Sequence, residues 1–459
     1  MENGTIKTKE SGLFKKVGDF FNSSLATRII IGIGLFLRFI AFLVTNPSLN
    51  QHDVLERYGH FDYAVYMFKN WNLPPGWIYE FAQPPINATM QAIVMKFISL
   101  FKDYSDNYLI LFSYTKILSL TWSVLTLIII YKIIEEFDIP KIIRNSILLI
   151  MSLYPALIIM TTQYSNDPIS YMFFYLSLYL TIRWCKNKKL STIVLLALSI
   201  GFGMLTKISV GLIAFITGPM MLVIWIRSLM KPRSTNPSIT LQLIIFGLTV
   251  FPIGLSFSVR NYILFGTKFG TIAEIAVGTL MAMKYWRWTL VERFLSLPID
   301  RIIETKIHTD KIILDLSILD KIRVNPSGIY HSKVEYNVWI DLIKTATFDE
   351  FYFKNTIWHP LCVVLYAANY IFHALGLVTI VLNIKDVIKD IRNIGSKCSD
   401  PVLNLKIMAI MLFILAIAAY VGFNYKYPYS CNSNYRYIAY ITLAFAISIA
   451  IKCLQKRLK

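Results

Sequence analysis

The sequence predicts an all-α polytopic membrane protein, and three observations carry that prediction. Apolar runs of about 17–25 residues, long enough to cross roughly 30 Å of hydrocarbon, recur along the chain. Lysine and arginine crowd into alternate connections between those runs. The 459-residue chain is 56% hydrophobic, only 16% charged, and has a mean hydropathy of +0.54. A water-soluble domain is about 45–50% apolar and about 25% charged, so this composition excludes an ordinary soluble enzyme.

Ten spans follow in order, at about 28–45, 108–131, 143–162, 168–184, 191–206, 209–226, 239–258, 358–383, 406–423 and 435–452. The 191–206 and 209–226 runs are short and nearly contiguous. They fit either a tight outer hairpin or one broken helix, so the count lies at about nine to eleven. With a cytoplasmic N-terminus, the inner segments carry Lys7, Lys9, Lys15 and Lys16, then Lys132, Lys141 and Arg144. Arg183, Lys186, Lys188 and Lys189 come next, then Arg227, Lys231 and Arg233. The last two sets are Lys385, Lys389, Arg392 and Lys397, and Lys452, Lys456, Arg457 and Lys459. The outer connection 163–167 has no lysine or arginine, and 424–434 has only Lys426. This is the positive-inside pattern. The net charge of +19 is therefore mostly a topological device. Because it is dispersed over short loops, no nucleic-acid partner is expected.

The first run reads as an uncleaved span rather than a signal peptide. Leu13–Phe21, with aromatic residues among lysines, reads as a helix along the inner membrane surface. The organisation is a basic amphipathic tail at 1–27, a transmembrane core at 28–258 that includes a first outer loop at 46–107, a second outer loop at 259–357, and C-terminal transmembrane helices at 358–459. Structureless loops of such length are uncommon. In the first, Pro84-Pro85 precedes Met90, Ile93, Val94, Phe97 and Leu100 at helical spacing. In the second, Trp286, Trp288, Phe294 and Leu295 precede charge alternating with Ile and Leu through 300–324, and interfacial helices are expected there too. The five cysteines show neither a disulfide framework nor zinc spacing.

Polar residues gather at the predicted outer face. The first loop carries His52-Asp53, His60, Asp62 and Glu80; the connection after the third span carries Asn166-Asp167-Pro168. Lys207 sits at the outer turn of the short pair, Arg260 begins the second long loop, and Arg436 opens the last span. Each has an ordinary structural reading. Asp167 before proline suits a helix start. Lys116 suits snorkelling to the interface, Arg260 and Arg436 suit aromatic-belt anchors, and His60 suits the surface of a loop helix. What favours chemistry is that carboxylates and cations share one leaflet. Cations bind phosphate, and a carboxylate takes a proton from an attacking hydroxyl. Asp53, Asp167 and His52 also offer oxygen and nitrogen donors to a divalent cation, without the spacing of a metal signature.

At these residues the chain resembles the polyprenyl-phosphate-sugar-dependent glycosyltransferases of the GT-C fold, in particular protein mannosyltransferase-like enzymes and the lipid A aminoarabinose transferase (glycosyltransferase family 39/83 type). The similarity runs through Asp53, Gly59-His60-Phe61-Asp62-Tyr63, Leu73-Pro74, Glu80 and Gln83-Pro84-Pro85-Ile86 in the first loop. It continues through Ser165-Asn166-Asp167, Leu205-Thr206-Lys207, Arg260-Asn261-Tyr262 and Arg436-Tyr437. Each motif is weak, but together they keep the family's order over most of the chain. Two positions depart from it. His52-Asp53-Val54 stands where protein mannosyltransferases show adjacent Asp-Glu, and Gln83 precedes Pro-Pro where histidine is frequent; both leave the acceptor class open.

The resemblance implies a GT-C-like bundle of about ten transmembrane helices whose two long outer loops contain interfacial helices. It implies a polyprenyl-phosphate-linked sugar donor, a lipid, glycan or protein acceptor, and an inverting transfer. Asp53 would be the general base and Asp167 would orient acceptor or base. Lys207, with Arg260 or Arg436, would meet the leaving phosphate, and His52, His60, Asp62 and Glu80 would contact substrate. The expected setting is a bacterial plasma membrane rather than the endoplasmic reticulum, with the site on the non-cytoplasmic face. The alternative is a multi-span transporter, or a protein handling a lipid-linked polymer, with an outer-face cation or substrate site. A transporter needs polar groups near the bilayer midplane; here the midspans are nearly clean, with Lys116 and His373 the main exceptions, which favours surface chemistry.

Overall fold

A computed structural model describes residues 12–45, 54–55, 57–75, 79–229, 238–267, 288–296, 313–315, 323–325, 337–349, 352–353, 359–392, 400–428 and 430–454. His52 and Asp53 lie outside the described residues. The helices are α1 (Gly12–Phe21), α2 (Ser24–Val44), α3 (His60–Asn70), α4 (Ile86–Ser99), α5 (Tyr108–Ser113), α6 (Lys116–Glu135), α7 (Lys141–Leu153), α8 (Pro155–Ile159), α9 (Asp167–Asn187) and α10 (Leu190–Met204). They continue as α11 (Ala214–Leu229), α12 (Ile239–Phe265), α13 (Leu290–Phe294), α14 (Val338–Phe348), α15 (His359–Arg392), α16 (Pro401–Lys426) and α17 (Ile441–Cys453).

Most of each predicted span falls on helix. Six helices among the described residues are long and apolar enough to cross a bilayer, and α7 with Pro155–Thr162, bent by 57°, makes a seventh. For 191–226 the structure takes the turn. The chain leaves α10 at Met204, reverses through Leu205-Thr206-Lys207, and returns as a 3-10 segment Ile208–Ile213 that packs on α10 and runs into α11. Gly203 lets this turn close, since a Cβ there would sit 2.6 Å from Val210 Cγ1 and 2.9 Å from Phe173 Cβ.

Helix α9 is 21 residues long yet too polar to face lipid, and its surroundings explain this. It lies in the middle of the bundle against α6, α10 and α11, so its hydroxyls bond protein. Ser177 pairs with Ser199 at 2.9 Å and Thr181 with Thr217 at 3.0 Å. Trp184 Nε1 donates to Gln242 Oε1 at 2.8 Å. Inside a bilayer such groups have no other partners.

The segments predicted to share a face share an end of the bundle. At one end, the expected inner one, Lys186 and Arg183 meet Glu136, Asn145 holds the carbonyls of Phe21 and Ser23, and Lys406 and Lys452 clamp Asp386 at 2.9 and 2.7 Å. At the other end, the first loop folds as α3, a 3-10 turn Tyr79–Ala82, and α4. Helix α4 turns Asn87, Ala88, Gln91 and Ala92 inward and leaves Ile93 and Phe97 exposed, the apolar face expected of a helix on a membrane.

The second long loop departs from its reading. It holds the helices α13 and α14, but within 300–324 the described residues are strand. β1 (Ile313–Asp315) pairs antiparallel with β2 (Arg323–Asn325) and parallel with β3 (Tyr352–Phe353). Alternation of apolar and charged residues has a period of two, which a strand satisfies and a helix does not.

The midspans also hold one cation that the sequence reading passed over. Arg38, in α2, is 2% exposed. Its Nε donates to Ser123 Oγ at 3.0 Å, and Nη1 donates to the carbonyls of Gly34 at 3.0 Å and Ser152 at 3.1 Å. The bend between α7 and α8 leaves Ser152 without its helical donor, because the ladder stops there, and Arg38 takes that place. Lys116 serves the end of α2 in the same way, donating to the carbonyls of Phe42 and Thr45. Arg38→Leu should therefore lower stability by about 1–3 kcal/mol, the range for leaving buried acceptors unpaired, read as a lower unfolding midpoint of the detergent-solubilised protein. An unchanged midpoint would show that the bend does not depend on Arg38.

Candidate active site

Four outer segments meet around Asp167. The first is the connection 163–167. Asn166 caps α9 through its backbone, with no side-chain cap bond, and its Nδ2 reaches across to the Thr206 carbonyl at 3.1 Å. Asp167, at the first position of the helix, is therefore not spent on capping. It is 4% exposed; Oδ2 accepts from Ser165 Oγ at 3.2 Å and Oδ1 accepts from Lys207 Nζ at 2.5 Å. The second segment is the Thr206-Lys207 turn, whose ammonium also lies 4.7 Å from the centre of the Tyr437 ring.

The third is the stretch that opens the last span. Asn434 Oδ1 accepts from Arg436 N at 2.9 Å and starts the turn Tyr435–Tyr437. Tyr171, one turn into α9, donates its hydroxyl to the Arg436 carbonyl at 2.6 Å and accepts from Ala439 N at 2.7 Å. Arg436 is thus held beside Asp167, where its charge acts on that carboxylate. The fourth is the first loop. Asn87 and Gln91 donate to the Tyr164 carbonyl at 3.1 and 2.7 Å, and Ile86 N donates to the Leu205 carbonyl at 3.1 Å. The Pro-Pro motif is thereby seated against both the Asp167 connection and the Lys207 turn.

The remaining candidates sit in that first loop. His60 is buried, not a surface residue, and its Nδ1 lies 3.5 Å from Glu80 Oε2. Asp62 Oδ2 accepts from the Tyr58 backbone at 2.7 Å, which ties down a residue with a φ of 63°. Arg260 donates to the Pro74 carbonyl at 2.7 Å and to Asn261 Oδ1 at 2.9 Å. The structure brings Asp167, Lys207 and Arg436 to one point. It groups His60 with Glu80, and ties Arg260 to the same loop. Among the described residues no three His, Cys, Asp or Glu side chains group as a cation site.

Sequence reasoning missed Asp349 and its neighbours. Helix α14 buries Asn337, Asp341, Lys344, Thr345, Thr347 and Asp349, all at 3% exposure or less. They bond Tyr435 N through Thr345 at 2.9 Å and Asn369 through Thr347 at 2.9 Å, and Asp341 accepts from Ser433. The available signal was polar spacing of three and four residues through Asn337, Asp341, Lys344 and Thr345, a helix that turns its polar stripe inward.

Electrostatically the outer site favours anions. Burial alone would push the Asp167 carboxyl up, but the charges of Lys207 and Arg436 and the bonds from Lys207 and Ser165 outweigh it, and it lies below its ordinary value. It stays ionised and anchors Lys207, leaving Lys207 and Arg436 beside the Tyr437 ring.

Such an arrangement belongs to a multi-pass membrane protein with a cluster of charged side chains at one end of its bundle. Residues 83–253 match the family model described as dolichyl-phosphate-mannose-protein mannosyltransferase, a stretch that includes the Pro-Pro motif, Asp167 and Lys207. This bears out the resemblance read from the sequence and supports a membrane glycosyltransferase of the protein mannosyltransferase type. No curated protein is significantly similar to the chain. Among solved structures, the Archaeoglobus fulgidus oligosaccharyltransferase is similar at 10% identity with a TM-score of 0.41, over 94% of this chain and 49% of that one. The chain thus spans about half the length of that protein. ArnT from Cupriavidus metallidurans is similar at 10% identity with a TM-score of 0.36, over 92% and 76% of the two chains. Both likenesses are distant.

Because the folded-state value of Asp167 is depressed, its stabilising contribution is present above the ordinary carboxylate value of about 4 and is lost as pH falls through the folded value. The unfolding midpoint of wild type should exceed that of Asp167→Asn by a constant margin at neutral pH, and that margin should shrink below about pH 4. A margin unchanged down to about pH 2 would remove Asp167 ionisation from the stability of the site.

Proposed function

We propose that this chain is an integral membrane glycosyltransferase that moves a sugar from a polyprenyl-phosphate donor to an acceptor hydroxyl at the non-cytoplasmic face. The observation that carries this reading is the meeting of Lys207 and Arg436 with Asp167; Asp167 and Lys207 lie inside the stretch matched by the mannosyltransferase family model, and Arg436 comes from beyond it. The donor's tails lie in the bilayer and its phosphate sits against the two cations, charge-assisted contacts of the stronger kind. Asp53 takes the proton of the acceptor hydroxyl. The resulting oxygen attacks the anomeric carbon from the side opposite the phosphate, so configuration inverts. The bond from that carbon to the phosphate oxygen breaks, and its electron pair leaves with the polyprenyl phosphate. A phosphate leaves without a proton donor, so one base suffices, unlike the paired carboxylates of glycoside hydrolysis. Asp167 orients Lys207. Arg260 and the His60–Glu80 pair supply polar contacts for the sugar or acceptor from the first loop; Asp62 acts by holding Tyr58. His52 neighbours the base. The donor set of Asp53, Asp167 and His52 is compatible with a divalent cation.

Asp53→Asn should lower turnover by about 10²–10⁴-fold, the usual contribution of a positioned base, while membrane insertion and unfolding midpoint stay as in wild type. Lys207→Ala should raise KM for the lipid-linked sugar by about tenfold. Mass spectrometry of lipid-linked sugars from cells lacking the gene should show one donor accumulating, which names the sugar. No accumulation, together with lost solute uptake, would replace this reading with transport.

A further inference from the structure

We propose that Asp349 is a positioning residue that sets the turn carrying Arg436. The inference rests on the phosphate-binding reading of that arginine. Asp349 ends α14 and is 3% exposed. One carboxylate oxygen accepts from Gln163 Nε2 at 2.7 Å, and the other accepts from Asn434 Nδ2 at 2.5 Å. These partners belong to two of the segments that build the site. Gln163 begins the connection that ends at Asp167, and Asn434 begins the turn that carries Arg436.

The carboxylate decides which way round the Asn434 amide sits. An ionised carboxylate only accepts hydrogen bonds, so the NH₂ of Asn434 must face Asp349. Its oxygen then faces Arg436 N, at 2.9 Å. Reversing the amide would set a carbonyl against a carboxylate and remove the bond that starts the turn Tyr435–Tyr437. Asp349 thus acts on Arg436 through one intervening side chain, and it ties the second outer loop to the site by the same contact.

The backbone at Asp349 supports a specific task. Its φ of 53° and ψ of −129° lie where glycine is favoured, and a side chain persists there only when the surroundings hold it. Capping does not explain the choice. The Asp349 N–H donates to the Thr345 carbonyl at 2.8 Å, and any residue, glycine above all, would do that without a carboxylate.

The test is a double-mutant cycle on the full-length chain in phosphatidylcholine nanodiscs, with undecaprenyl phosphate as the probe and undecaprenol as the control lacking phosphate. Arg436→Gln should weaken binding of the phosphate about tenfold, and Asp349→Asn, which preserves shape and tolerates a positive φ, by about as much. In the Arg436→Gln background, Asp349→Asn should change the affinity by less than about twofold, because a residue that acts through Arg436 has nothing further to lose. Asp349→Gly relieves the backbone, which offsets part of the stability lost with the two hydrogen bonds, and the folded variant should show the same loss of affinity. Multiplying losses in the double variant, or wild-type affinity in Asp349→Asn or Asp349→Gly, would overturn the inference while leaving the Arg436 reading in place. Wild-type affinity in both Arg436→Gln and Lys207→Ala would remove the phosphate-binding reading, and Asp349's role with it.

Discussion

A bilayer interior offers no hydrogen-bond partner to a protein, and this constraint organises the whole molecule. Every polar group at membrane depth has to find its partner within the chain or move to an end. Helix α9 meets the requirement by standing in the middle of the bundle, where Ser177, Thr181 and Trp184 bond to α10, α11 and α12. The bend between α7 and α8 meets it with Arg38, whose guanidinium reaches the carbonyl released at Ser152. Both devices are internal, and they leave the lipid-facing surface apolar.

The same constraint concentrates charged side chains at one end of the bundle. The segments 163–167, 205–207 and 434–437 are short returns between spans, so their side chains lie at one depth. Asp167 is the common anchor. It holds Lys207 directly and lies within the field of Arg436, and the helix that starts with it holds the Arg436 stretch through Tyr171. Like charges on Lys207 and Arg436 would repel if brought together alone; the buried carboxylate offsets one of them and makes their proximity tolerable, and the second cation leaves the cluster positive. The first loop closes over this arrangement by bonding backbone carbonyls at Tyr164 and Leu205.

The inward-facing polar stripe of α14 shows the cost of reading helices by composition. On a membrane surface such a stripe would face water. Here it faces Tyr435, Asn369 and Ser433, and it converts an outer loop into part of the wall behind the site. The loop residues around 313–325 went the other way: Ile313–Asp315 and Arg323–Asn325 pair as antiparallel strands.

By itself the sequence determined the membrane class, the apolar segments that fold as helices, and Asp167, Lys207 and Arg436 as candidates. Each of these follows from local signals: run length, charge placement, and a polar residue at the border of an apolar run. Tertiary structure alone decided what those residues touch. Asp167 reads equally well as a helix cap until Lys207, forty positions away, is seen on its carboxylate. His60 reads as a surface residue until Glu80 is found beside it. Arg38 and Asp349 carry almost no sequence signal, because their partners are backbone carbonyls in one case and two distant amides in the other. Pairings of that kind depend on how helices cross, and crossing is set by packing between segments remote in the chain.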